Sequence, residues 1–280
     1  MSASITSPPS PEPHDVAGWA RHFAALEIPV LSDTAAQIEE LRPVEDEVDA
    51  RMLGEILARD PLMTLKVLGL VAAQGADRRL HDAETVTEAL VLMGITPFFR
   101  AFGPQLTIEE HLAGTPEALD GLREVLRRAD RAARFAATFA IHRGDHDAAV
   151  LQEAALLHDF AEMLLWLHAP AIALEIRRRQ AADPALRSVS VQRELLHAEL
   201  TDIQHALMRQ WRLPEILVRI TDDRDAVHPQ VRTVLLAIRV ARHSMQGWDN
   251  AAIPDDLRDI GSLLMLNAEA VRRLLQDIDA

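Results

Sequence analysis

The sequence contains no cysteine and no tyrosine, and it has only four Trp and seven Phe among 280 residues. The lack of cysteine excludes disulfide bonds and thiolate chemistry, and a cytoplasmic location is the default expectation. With so few aromatic side chains, the chain offers few surfaces on which the bases of a single-stranded nucleic acid could stack. It also has no apolar run long enough to span a bilayer.

The chain has fewer basic than acidic residues. The chain has 29 Lys and Arg against 43 Asp and Glu, which gives a formal net charge of −14. A field of this sign repels phosphate backbones and anionic lipids, so we expect neither a nucleic acid nor a membrane as partner. Residues 1–15 are rich in Ser and Pro and have neither the basic start nor the apolar core of a signal peptide, which predicts a disordered tail.

What the chain does have is a helical pattern. Apolar residues recur with a period near 3.6 through most of the sequence, and no convincing period of two is visible. Prolines and glycines mark the helix ends: Asp60-Pro61 begins one helix, Gly94 ends another, and Pro116 opens a long helix that reaches about Ile141. The pattern predicts an all-α protein.

A polar connector at residues 107–115 is the candidate boundary between two groups of helices. It separates an N-terminal helical lobe, residues 16–106, from a C-terminal lobe, residues 116–280. We expect the two lobes to form one structural unit.

An adjacent pair of ionisable residues, His158 and Asp159, lies within the strongly apolar stretch 154–166. The pattern predicts a buried helix that begins after Asp147, passes through the pair and runs to about His168. Buried charges are costly unless they are paired, hydrogen-bonded or bound to a metal. The pair is therefore either a bimetal phosphohydrolase centre or a pair that the protein balances with its own charges.

Five stretches, in this order, resemble the HDOD (HD-related output domain) family of bacterial signalling proteins, a divergent relative of the HD metal-dependent phosphohydrolases. They are residues 28–31 (Ile-Pro-Val-Leu), 56–62 (Ile-Leu-Ala-Arg-Asp-Pro-Leu), 86–94 (Val-Thr-Glu-Ala-Leu-Val-Leu-Met-Gly), 155–159 (Ala-Leu-Leu-His-Asp) and 211–215 (Trp-Arg-Leu-Pro-Glu). The resemblance implies a multi-helix HD-like fold with an N-terminal helical lobe and a C-terminal HD-like lobe.

The chain departs from the HD pattern where the resemblance implies metal ligands. HD enzymes coordinate metal with an upstream His, the His-Asp pair and a distant Asp. In this chain Arg131 stands at the upstream position, and Glu162 replaces a lysine that is typical of one HD subfamily. A guanidinium cannot coordinate a cation. We therefore expect His158 and Asp159 to be a remnant of the HD motif without metal or cofactor. We also expect Arg131 to form an ion pair with Asp159 in place of the metal's charge.

Other charged residues are weaker candidates for a site. Arg123, Arg127 and Arg134 share a helix face with Arg131, which would suit an anion such as a cyclic dinucleotide, but a solvated face with ion pairs is favoured. Three aspartates could supply distant carboxylates or form a solvated loop: Asp222, Asp223 and Asp225. Six histidines lack zinc-site spacing and are expected at the surface: His142, His146, His197, His205, His228 and His243.

These observations favour a non-catalytic regulatory module for signal transduction, to which no catalytic residue is assigned. It would bind a protein partner through its helical surfaces or the groove between its lobes. Two alternatives stay open: a metal-dependent HD-type phosphohydrolase or cyclic-dinucleotide phosphodiesterase, and a sensor that binds a nucleotide without hydrolysing it. A homo-oligomer is also left open.

Overall fold

A computed structural model of the chain describes residues 13–75, 83–183 and 186–279. Within these ranges the chain is built from α-helices and two short 3-10 helices, and the β-type pairing found there is a single bridge between Val30 and Thr107. The prediction of an all-α fold is confirmed. Most of the expected N-terminal tail lies outside the described residues, and Asp15 caps the first helix. Among the described residues, no helix is both long and apolar enough to cross a membrane.

Seventeen α-helices are described. The first seven are α1 (Val16–Ala24), α2 (Ser32–Leu41), α3 (Ala50–Leu57), α4 (Pro61–Gly75), α5 (Val86–Met93), α6 (Ile95–Ala101) and α7 (Ile108–His111). The next six are α8 (Pro116–Arg143), α9 (Ala148–Leu157), α10 (Phe160–His168), α11 (Pro170–Ala182), α12 (Ser188–Leu196) and α13 (Leu200–Gln210). The last four are α14 (Glu215–Ile220), α15 (Pro229–His243), α16 (Ile253–Leu264) and α17 (Ala268–Asp279).

The start of α4 shows how local chemistry sets a helix boundary. Asp60 is fully buried, and its Oδ1 accepts the backbone N–H groups of Leu62 and Met63, while its Oδ2 accepts that of Leu31. One carboxylate therefore caps α4 and fixes the extended segment before α2. Burial raises the pKa of Asp60, although these hydrogen bonds oppose the shift.

The long helix α8 is the centre of the C-terminal half and packs against α9, α10 and α15. Its expected apolar face is buried throughout: Leu122, Leu126, Ala129, Ala133, Ala136 and Ala140. The helix ends at Gly144, whose φ of 71° is the left-handed conformation that glycine adopts without steric cost. Its predicted extent is confirmed.

The predicted helix through His158 and Asp159 is wrong in one respect, because the chain forms two helices, α9 and α10, with the pair at the junction. No glycine or proline marks this break. Instead, Gln204 of α13 accepts the backbone N–H of Ala161 at 3.2 Å and donates its Nε2 to the carbonyl of His158 at 2.5 Å. A side chain from another helix thus satisfies the backbone groups that the break leaves unpaired.

Helices α12 and α13 are divided at His197, which has a φ of 53°. The connector at residues 107–115 carries the short helix α7, which Thr107 and Glu110 stabilise as a reciprocal capping box.

Candidate functional site

His158 lies between two carboxylates. Its Nδ1 is 2.9 Å from Oδ1 of Asp159 and its Nε2 is 2.9 Å from Oδ1 of Asp223, while its side chain is 9% exposed. Burial alone would lower the pKa of His158, but the hydrogen bonds and charges of the two aspartates outweigh it and raise the pKa to about 9. Both ring nitrogens therefore donate, and the imidazole is a cation at neutral pH.

Arg128 on α8 is the second cation of the site. Its Nε and Nη2 donate to Oδ2 of Asp159 at 3.1 and 2.7 Å, and Nη2 also donates to Oε2 of Glu162 at 2.6 Å. Burial opposes the charged forms of both partners. The charges of the acids nevertheless raise the pKa of Arg128, and Arg128 and His158 together hold the pKa of Asp159 well below its usual range. Arg242 on α15 lies 3.7 Å from the same carboxylate.

The expected ion pair between Arg131 and Asp159 is wrong. Arg131 instead donates to the carboxylate of Asp279 at 3.0 and 2.6 Å and to the hydroxyl of Ser244 at 2.9 Å. Arg131 is three positions after Arg128, so it lies almost one helical turn further along α8, and it faces α15 and the end of α17. The cation that pairs with Asp159 is Arg128, which the motif comparison does not single out.

A cavity of about 450 Å³ opens beside the His-Asp pair, between helices α8, α10, α11, α12 and α13. Its lining includes four cationic and four acidic side chains: Arg128, His158, Arg177, Arg242, Glu124, Asp159, Glu162 and Asp223. The charges in the lining are therefore balanced. A polyphosphate would have to displace existing ion pairs before it could bind there.

The lining also contains apolar side chains, among them Trp166, Leu165 and Ile176. Trp166 packs directly on Gly121 of α8, and a Cβ at that glycine would lie 2.5 to 2.7 Å from the ring. The absence of a side chain at position 121 is what allows the ring this position.

The arginines considered as an anion patch have acidic neighbours or remain at the surface. Arg123 donates to Glu109 at 3.1 Å, Arg134 donates to Asp130 at 3.1 Å, and Arg127 is exposed. This geometry is that of a solvated helix face with ion pairs.

Of the three aspartates in the loop before α15, Asp223 reaches the site through His158, and the carboxylate of Asp222 accepts the backbone N–H of Arg224 instead. His142, His146 and His197 are exposed, and His228 and His243 are partly buried. The expectation of a surface position is wrong for His205, which is 4% exposed and has its Nε2 3.3 Å from the carbonyl of Thr221. It lies on the inward face of α13, where an imidazole can pack in the core if its nitrogen finds a partner.

The residues at this site do not fit the divalent metal that an HD-like centre implies. Metal ligands need free lone pairs, but Asp159 already accepts from Arg128 and His158, and both nitrogens of His158 face carboxylates. Among the described residues, no group of three or more His, Asp and Glu side chains is arranged to hold a metal ion. A guanidinium within 3 Å of the central carboxylate would also repel a divalent cation.

Comparison with known proteins gives the following matches. A family model described as "HDOD domain" matches residues 28–227 of the chain. The solved structure of the MmoQ response regulator from Methylococcus capsulatus is similar with a TM-score of 0.67 and 20% identity, over 89% of this chain and 98% of that one. A virulence factor from Campylobacter jejuni is similar with a TM-score of 0.61 and 16% identity, over 93% of this chain and 90% of that one. No curated protein was found to match the chain.

Proposed function

Because the chain belongs to the HDOD family, we propose that it is a non-catalytic signal-transduction module that acts by binding. The observation that carries this proposal is the pairing of Arg128 with Asp159 and Glu162. The guanidinium of Arg128 neutralises the carboxylate with which a hydrolase of this lineage would coordinate a metal ion. A guanidinium that holds this carboxylate leaves no place there for the metal ion with which an HD hydrolase activates water.

Binding requires accessible surface, and the chain has two kinds. Val91 and Leu92 on α5 and Met52 on α3 are exposed apolar side chains, on two helices that pack against each other. Such side chains suit a protein partner of a signalling pathway. The second surface is the cavity beside His158, which suits a small ligand.

Hydrolysis of phosphoesters tests the proposal directly. The full chain, supplied in turn with Mn²⁺, Fe²⁺ or Ni²⁺, is assayed on a panel of phosphomonoesters, phosphodiesters and cyclic dinucleotides. We expect no turnover above that of the variant His158→Ala. Metal-dependent turnover that His158→Ala abolishes would contradict the proposal and restore the hydrolase alternative.

A nucleotide sensor is a second candidate, favoured by the position of Arg177 and Arg242 in the lining of the cavity. Their side chains are 44% and 54% exposed, and each lies near a single carboxylate, so they can pair with an incoming anion more readily than Arg128. Thermal unfolding with mononucleotides and cyclic dinucleotides tests this role. A ligand at a hundredfold its dissociation constant adds about 2.7 kcal/mol of stability. A stabilisation that Arg242→Ala removes would establish this candidate, and unchanged unfolding with every nucleotide would exclude it.

A further inference from the structure

The last helix, α17, is held by a narrow apolar stripe. Val271 and Leu275 are fully buried, and Leu274 and Ile278 are partly buried against the core. These four residues follow the i, i+3, i+4, i+7 spacing of one helix face. They pack on α16 and α8, and we call this surface the seat of α17.

The end of α17 is held by two arginines of α8, which we call the arginine clasp. Arg131 donates to both carboxylate oxygens of Asp279, and Arg134 donates to the carbonyl of Ile278 at 2.7 Å. Arg131 and Asp279 are largely shielded from solvent, with side chains 14% and 20% exposed. The residue at the position of the upstream HD histidine thus binds the last turn of α17.

The hinge between α16 and α17, residues 265–267, is strained. Met265 has a φ of 59°, a left-handed conformation that is unfavourable for a residue with a Cβ, and the residue is 90% exposed. A helix that ends in this way, with the N–H of Leu266 bonded to the carbonyl of Gly261 at 3.0 Å, normally has glycine at the left-handed position. A side chain there is unfavourable for an L-residue. Because residues 264–268 contain neither glycine nor proline, a continuous helix is compatible with this sequence.

We propose that α17 is exchanged between two copies of this chain, so that each copy places its α17 in the seat and arginine clasp of the other. Straightening the hinge relieves the left-handed Met265 and carries the apolar stripe away from its own seat. The stripe then needs an equivalent surface, which a second copy supplies with the same contacts. A short, strained hinge is the feature that favours such an exchange.

Charge reversal across the clasp tests the exchange itself. The variant Arg131→Asp places two acids against each other across the clasp, and the variant Asp279→Arg places two bases against each other. Either variant alone therefore has a repulsive clasp, both within one chain and in an exchanged homodimer. When the two variants are mixed, exchange of α17 places the acid of one chain against the base of the other in both clasps of the heterodimer. With one variant carrying a mass tag, we expect native mass spectrometry to show heterodimers at least about tenfold above the statistical proportion. A statistical mixture, or no heterodimer, overturns the proposal.

The hinge gives an independent test that leaves the clasp intact. Sedimentation equilibrium of the full chain should show a monomer–dimer equilibrium, and Met265→Gly should weaken dimerisation about tenfold or more, because glycine relieves the strain at both hinges of the closed form. The matched control Met265→Ala keeps a Cβ at the left-handed position and should not weaken dimerisation. A chain that stays monomeric at all accessible concentrations, or equal effects of the two substitutions, contradicts the proposal.

Discussion

Arg128 and Asp159 form an ion pair, with Nη2 and Oδ2 2.7 Å apart and both side chains 15% exposed. The pair joins α8 to the junction between α9 and α10, and Glu162 adds a second carboxylate to the same guanidinium. The HD-like centre is therefore held together by charges of the protein.

The first prediction concerns the loss of this cation. Arg128→Ala leaves Asp159 and Glu162 without their shared partner, and breaking a buried pair in this way costs about 3–5 kcal/mol. Urea unfolding of the full chain measures the free energy of unfolding. The control Arg127→Ala removes an exposed arginine of the same helix and should change it by less than about 0.5 kcal/mol. Equal effects of the two substitutions would show that the ion pair is not structural.

The second prediction concerns the contact between Gly121 and Trp166 in the cavity wall. Gly121→Ala places a Cβ 2.5 to 2.7 Å from the ring of Trp166, so the ring or helix α8 must move. Overpacking of this kind costs about 1–3 kcal/mol. The control Gly69→Ala lies in α4 with nothing within 4 Å of the added Cβ, and it should stabilise the chain by about 0.5–1 kcal/mol. If Gly121→Ala also stabilises, the contact with Trp166 is not close in solution.

The third prediction is a pH dependence that arises from Glu153. Its Oε2 accepts the N–H of Val86 at the start of α5, and burial raises the pKa of Glu153 to about 8. The unfolded chain releases this proton near pH 4.5 while the folded chain keeps it, so stability falls as pH rises from about 4.5 to about 8. The slope from this group is at most about 1.4 kcal/mol per pH unit.

Glu153→Gln keeps an acceptor for Val86 and removes the titration. Denaturant unfolding at a series of pH values should therefore show a stability difference between variant and wild type that grows in favour of the variant up to pH 8. A difference that does not change with pH would mean that Glu153 is ionised in the folded chain.

The fourth prediction concerns two histidines with opposite shifts. Burial, with smaller contributions from His111 and His22, lowers the pKa of His168 to about 4, whereas His158 titrates near 9. Proton NMR of the imidazole resonances, assigned with His158→Gln and His168→Gln, measures both. The contribution of His158 to stability is present below about pH 6.5 and is lost as pH rises through 9. The contribution of His168 is present above about pH 6.5 and is lost as pH falls from 6.5 to 4. Midpoints near 6.5 for both residues would contradict the described environments.

The sequence predicts the helical elements well where local chemistry sets them. Pro116 begins α8, Gly94 ends α5, and Asp60 caps α4, because each acts on its own backbone. The break between α9 and α10 could not be predicted in this way. It depends on Gln204, which is 46 residues from the carbonyl that it contacts.

The same limit applies to the site. The HD pair is recognisable because its two residues are adjacent in the sequence, but the choice between Arg128 and Arg131 depends on how α8 is rotated against α10 and α15. The motif comparison singles out Arg131 and not Arg128. Only the packing shows that one reaches Asp159 and the other Asp279.

The most direct test of the central claim is the metal content of the full chain, purified without chelator and analysed by inductively coupled plasma mass spectrometry. Because Arg128 and His158 already neutralise Asp159, we expect Fe, Mn, Ni and Zn far below one equivalent per chain, with no increase in Arg127→Ala. A stoichiometric transition metal that His158→Ala or Asp159→Ala removes would contradict the account, since those side chains would then be ligands.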